Sequence, residues 1–126
     1  MKKAIMVVCL VLLLPSLGCL STGVVGEANS NYTLGYMKED YKINFDQAWK
    51  VCERTIAALK GYEVEPSRNI GKGTIKATII TDRVWFYITY KSKDVTEITI
   101  RVGITGDKVS SKLIHDQIKE ILSEGR

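Results

Sequence analysis

One histidine, three cysteines and two prolines are all that 126 residues offer of the side chains that build metal centres, disulfide frameworks and proline-rich linkers. With His115 alone, a His-rich metal site or a Ser-His-Asp triad within one chain has too few parts. No long hydrophobic run is present either. The longest near the N-terminus, Ala4 to Leu14, has 11 residues, and a bilayer span needs about 17–25. Charge of one sign is also scarce: 18 Lys and Arg face 14 Asp and Glu, for a net +4, which falls to +2 if Lys2 and Lys3 are removed. So small an excess is a poor basis for binding nucleic acid or an anionic surface by charge alone. Internal repeats and low-complexity segments are absent. What remains, 45% apolar and 25% charged residues in one short chain, is the composition of a single globular domain.

The N-terminus has the three-part pattern of a secretory signal: Lys2 and Lys3, the apolar run, then small residues. Gly18-Cys19 follows and resembles the lipobox of bacterial lipoproteins, although Ser16 stands where that motif usually has leucine and Leu17 sits one place late. Two cleavage sites are in play. Cleavage before Cys19 leaves a lipidated first residue, and two acyl chains anchor stably where one does not. Cleavage after Ala28, in the stretch Gly26 to Ala28, suits a conventional signal peptidase and leaves a diffusible protein. The leading expectation is residues 1–18 as signal, 19–31 as lipidated Cys19 with a tether, and 32–126 as one domain. Leu20 to Asn31 is small, polar and without periodicity, and when extended it reaches roughly 40 Å at about 3.3 Å per residue. Cys9 is then discarded and Cys52 is alone in the domain, so no intrachain disulfide framework forms.

Within the domain, Tyr32 to Ile43 reads as a first strand, with Tyr32, Leu34 and Tyr36 on one side and a bend near Lys38 to Asp40. Phe45, Trp49, Cys52, Ile56 and Leu59 recur at spacings of 4, 3, 4 and 3, the stripe of a helix. Asn44 with Gln47 suits a capping box, and Gly61 a left-handed helix end. Four strands follow: "YEVEP", ending at Pro66, "TIKATII", "VWFYITYK" and "EITIRVGIT". Short connections make consecutive strands antiparallel neighbours, in a meander. Ile75, Ala77, Ile79, Phe86, Ile88, Ile98, Ile100, Val102 and Ile104 form the face to be covered. The last segment has Asp107 or Ser110 as N-cap and Val109, Ile114, Ile118, Ile121 and Leu122 as its stripe. The predicted class is α+β, ordered β-α-β-β-β-β-α, with two helices on one face of an antiparallel sheet.

Gly18-Cys19, the helix "AWKVCERTIAALKGY" from Ala48 and "ITIRVGITGDKVSSKLIHDQI" from Ile98 together resemble a family of small bacterial lipoproteins catalogued only as a domain of unknown function. The resemblance covers nearly the whole mature chain and implies no activity, substrate or cofactor. It implies the cell envelope. Leu20, where an inner-membrane retention signal places Asp, points to the periplasmic side of the outer membrane in a cell with two membranes.

Few residue sets could carry chemistry. Cys52 lies in a helical stripe and reads as a core thiol. Glu63 and Glu65 share a strand face at roughly 7 Å, a separation a hydrolase acid and base can use, which makes a carbohydrate-active enzyme the alternative reading. "GKGT", Gly71 to Thr74, lacks the spacer and following helix of a phosphate loop. His115, beside Asp116, reads as an exposed or half-buried polar position. Gly103, Gly106 and Asp107 are explained by turns and a cap. Lys76, Trp85, Tyr87 and Arg101 interleave cations and aromatics on the other sheet face, the form of a stacking platform. In an envelope protein that platform fits a protein or glycan rather than nucleic acid, so the leading expectation is a non-enzymatic interaction or structural module.

Overall fold

A computed structural model describes residues 31–125, so the signal segment, Cys19 and all of the tether but Asn31 lie outside the described residues. Alternation along the strands decides the architecture. Six strands form one antiparallel sheet: β1 (Tyr32–Thr33), β2 (Tyr36–Tyr41), β3 (Tyr62–Asn69), β4 (Lys72–Ile79), β5 (Asp82–Ser92) and β6 (Val95–Val102). Helices α1 (Phe45–Ala58) and α2 (Lys108–Glu124) cover one face. With β1 and β2 taken as one hairpin, the order is the expected β-α-β-β-β-β-α. Strands β3 to β6 form the meander, but the sheet order is β1-β2-β6-β5-β4-β3. Helix α1 therefore carries the chain from beside β6 to the far edge.

The first strand differs from its reading. Leu34 and Gly35 make a turn, with φ of 52° and 89°, and the strand then runs unbent through Lys38 and Asp40 to Tyr41. Leu34 is exposed in that turn, and the expected common side is not formed: Tyr32, opposite Met37, lies on the helix-covered face, while Tyr36, opposite Thr33, lies on the other. Strand β3 also continues past Pro66 to Asn69. An edge strand has one side free of partners, where the missing N–H of proline is not needed.

Helix α1 starts as its capping residues dictate. The Asn44 side chain accepts from the Gln47 amide at 2.8 Å, and the Gln47 side chain accepts from the Asn44 amide at 3.0 Å. Asn44→Ala should lower the unfolding free energy by about 1 kcal/mol, read as a reduced urea midpoint at unchanged slope. The other end corrects the assignment to Gly61. Lys60 takes the left-handed conformation, with φ of 59°. Its amide donates to Ala57 and that of Gly61 to Ile56, at 3.0 and 2.8 Å, the paired bonds of a Schellman end. Glycine is needed at 61 for proximity: a Cβ there would lie 2.7 Å from Ile56 Cγ2.

The core forms where the two periodicities meet. Trp49, Cys52 and Ile56 of α1 and Ile114, Ile118 and Ile121 of α2 pack on Ile75, Ala77, Val84, Phe86, Ile88, Ile98, Ile100 and Val102 of the sheet, with Phe45, Leu59 and Leu122 half-buried at its rim. Two expected members are absent. Strand β6 stops at Val102 because Gly103, at φ 74°, turns the chain and donates its amide to the Arg83 carbonyl at 2.8 Å, which leaves Ile104 exposed. Val109, in the first turn of α2, is exposed as well. Asp107, rather than Ser110, is the N-cap and accepts from the Ser110 amide at 3.0 Å.

Candidate functional site

Because both helices lie on one face, no described element covers the other face of the sheet, and its side chains follow from the strand registers. Trp85 stands opposite Lys76 on β4 and Arg101 on β6. The three form one row across the middle of the sheet. Tyr87, two residues along β5, stands opposite Thr74 and Thr99. All four residues singled out in the sequence are thus brought together, with Lys76 exposed and the other three half-buried.

Strand β2 contributes a residue that strand-by-strand reading missed. The Tyr36 ring lies 5.9 Å from the Tyr87 ring, tilted by 58°, within the range of favourable aromatic pairs. The Arg101 guanidinium carbon is 4.7 Å from the Tyr36 centroid, a cation–π distance. Arg101 also donates from Nε to the Gly103 carbonyl at 3.3 Å and from its terminal nitrogen to that of Ile104. Its cation is therefore held in place by the loop after β6. Partial burial pushes the Tyr87 hydroxyl pKa up, with Tyr36 adding and Arg101 opposing, so Tyr87 offers a protonated hydroxyl at neutral pH. Trp85, Tyr87 and Tyr36 with Arg101 and Lys76 make a flat surface able to stack a planar or ring-bearing group and hydrogen-bond its edges.

The carboxylate pair lies toward the β3 edge of the same face, where Glu65 stands opposite Lys76 and in line with the row. Glu63 lies at an irregularity of β3 between Tyr62 and Glu65, with φ of 52°, so the regular strand spacing behind the pair is broken there. Its Oε1 accepts from the Thr78 hydroxyl at 3.3 Å, and its carbonyl from Arg83 at 2.9 Å. Glu65 pairs with Arg83 at 3.1 Å. Arg83 thus ties β3 to the start of β5 through both glutamates.

His115 overturns its reading as an exposed or half-buried position: it is fully buried, between α2 and β2. Its Nε2 is 2.9 Å from the Met37 carbonyl, and its Nδ1 is 2.7 Å from the Tyr41 hydroxyl. A carbonyl can only accept, so Nε2 carries the proton, Nδ1 accepts, and Tyr41 donates. Glu39 is 4.0 Å from Nδ1 and pairs with Lys119 at 2.7 Å. Desolvation is the largest influence and lowers the His115 pKa, with Lys119 in the same direction and the Met37 bond, Glu39 and Asp116 opposing. The imidazole is a neutral, satisfied core group without access to substrate. The signal for this was in the sequence: His115 falls between Ile114 and Ile118 on the stripe that also buries Ser111. Cys52 is fully buried as read, and burial pushes its thiol pKa up, with the charge of Glu53 adding to the effect, so it stays protonated and unreactive.

Among the described residues, no three His, Cys, Asp or Glu side chains stand together to hold a metal ion, and no helix is long and apolar enough to cross a membrane. No curated protein matches the chain. One protein family does, over residues 2–121, and its description reads "Protein of unknown function (DUF3568)". The match spans the whole described sheet and most of α2, and on that extent the chain belongs to the DUF3568 family of proteins of unknown function.

Proposed function

We propose that the protein is a lipoprotein of the bacterial envelope, tethered through a diacylated Cys19, whose domain acts as a non-enzymatic interaction module through its uncovered sheet face. The observation that carries the module reading is the row of Lys76, Trp85 and Arg101 flanked by Tyr87 and Tyr36, on a face that neither helix covers. Aromatic side chains with polar tips supply large contact area at low entropic cost, and Tyr, Trp and Arg dominate the energetics of recognition surfaces. The partner that fits is an envelope protein or a glycan, whose sugar rings and aromatic side chains stack on such a platform. The engagement of Glu63 and Glu65 with Thr78 and Arg83 favours this reading over the carboxylate hydrolase. The tether reading is supported by the apolar run ending in Gly18-Cys19, and the outer-membrane placement by Leu20 after the cysteine.

The double variant Trp85→Ala, Tyr87→Ala should keep the far-ultraviolet circular dichroism of the parent and lose binding across a glycan panel and to cross-linked envelope proteins. Binding retained by the folded double variant would move the site off this face. Intact mass of the membrane fraction, beside Cys19→Ala, tests the anchor. A chain starting at Cys19 with added lipid is the expected result, and one starting at Asn29 without lipid would refute it.

A further inference from the structure

The exposed aliphatic side chains of the domain are not scattered. Seven Leu, Ile and Val residues are exposed among those described, and five of them, Leu34, Ile80, Ile104, Val109 and Leu113, gather at one end of the sheet. Their common location follows from pairing. Ile79 pairs with Asp82, which puts Ile80 in the β4–β5 turn, and Val84 pairs with Val102, which brings that turn beside the loop carrying Ile104. Gly35 and Gly106 touch, so the Leu34 turn meets the loop leading into α2. Leu113 and Ile80 share the rim of an apolar groove with Leu59. Single exposed aliphatics are ordinary on a protein surface, but a concentration on loop tips and one helix turn marks an interaction site.

Ile80 strengthens the case independently. It has φ of 62° and is 79% exposed. A β-branched residue is an outlier in the left-handed region, and a turn selected for folding alone would place Gly, Asn or Asp there. Local strain of this kind is tolerated where the side chain serves a contact.

We infer that this end of the domain is a bilayer-contacting surface, whose loop-tip aliphatics enter the headgroup and upper acyl region of the membrane that holds the chain. The inference rests on the anchored reading above. Three observations select a bilayer as the occupant. The chain enters the domain at Tyr32, two residues before Leu34, so the tether joins the domain beside this end. The aliphatics are spread over separate loops and the start of a helix, a form suited to a fluid interface that demands no shape complementarity. Lys60, next to Leu59 of the groove, is exposed at this end, where a cation favours anionic headgroups. Seated this way, the strands run along the membrane normal and the Trp85 face stands sideways, open to a partner.

The test uses the mature lipidated protein in vesicles of phosphatidylethanolamine and phosphatidylglycerol carrying a nitroxide-labelled acyl chain. A fluorophore is attached at Ile104→Cys or Leu113→Cys, or at Ile70→Cys in the β3–β4 turn at the other end, while buried Cys52 stays unlabelled. The inference expects strong quenching at the first two positions and little at Ile70. Adding Ile80→Asn, which suits a positive φ and preserves the fold, should reduce that quenching. Equal, weak quenching at all three positions in protein bearing the lipid would overturn the inference and leave the anchor standing. Label protection that follows protein concentration rather than lipid would assign the surface to a second copy and overturn it as well. If intact mass shows no lipid, the anchor reading fails, and vesicles added to the unlipidated chain then decide the surface: quenching at Leu113 retains it, and none removes it.

Discussion

His115→Ala is expected to lower the unfolding free energy by about 3–4 kcal/mol, because it leaves a cavity at a fully buried site and strands two polar partners. The Met37 carbonyl loses its donor from Nε2, and the Tyr41 hydroxyl loses its acceptor at Nδ1. Tyr41 has no alternative as an anion, since burial pushes its hydroxyl pKa far up. In a domain whose total stability is about 5–15 kcal/mol, this is a large share. Urea unfolding checks it. A midpoint within error of the parent would mean that the imidazole is not part of the packed core.

The same group sets an acid limit. Its pKa is lowered in the folded state and ordinary, near 6.5, in the unfolded chain. The unfolded chain therefore binds the proton more readily. The contribution of His115 is fully present above pH 6.5 and is lost progressively as pH falls below that value, by at most about 1.4 kcal/mol per pH unit. The groups facing it are Tyr41, Glu39, Lys119 and Asp116. His115→Gln, which retains an amide donor and acceptor, should flatten the fall between pH 6.5 and 5.5. An unchanged slope in that variant would assign the acid sensitivity elsewhere.

Gly106→Ala is the other substitution expected to damage the fold severely. At φ 85° the residue is in the left-handed region, and a Cβ would lie 2.4 Å from Gly35 Cα and 2.8 Å from its carbonyl oxygen. Backbone cannot rotate aside as a side chain does. Conformational cost and overpacking together come to about 3–4 kcal/mol, and the β1–β2 turn should lift from the loop before α2. Gly103→Ala is the control: it has φ of 74° and open space around the added methyl, so only about 1–2 kcal/mol is expected. Equal losses in the two variants would show that conformation alone, and not the contact with Gly35, decides the cost.

Reading the sequence located the elements well and their ends poorly. Helix α1 was legible because Trp49, Cys52 and Ile56 hold a helical period over about two turns and Asn44 caps them. Strand faces were legible because Ile75, Phe86, Ile98 and their neighbours alternate. Ends failed where a single residue's conformation decided them. The left-handed residue that closes α1 is Lys60, not Gly61, and glycine at 61 answers the nearness of Ile56, a contact no local pattern announces.

The candidate face was half legible in the same way. Lys76, Trp85, Tyr87 and Arg101 share a side by alternation alone, which is local. Their union into one surface with Tyr36 needed the antiparallel registers and the insertion of β2 beside β6, which are not. The α+β order, the two-faced strands and the helical stripes are local properties, since each follows from side-chain spacing along a few turns or a few residues. Tertiary structure alone decided the partners of His115, Arg83 and Arg101, and the gathering of Leu34, Ile80, Ile104, Val109 and Leu113 at one end. Each of these depends on which distant segments meet, and that is set by the summed packing of the whole core.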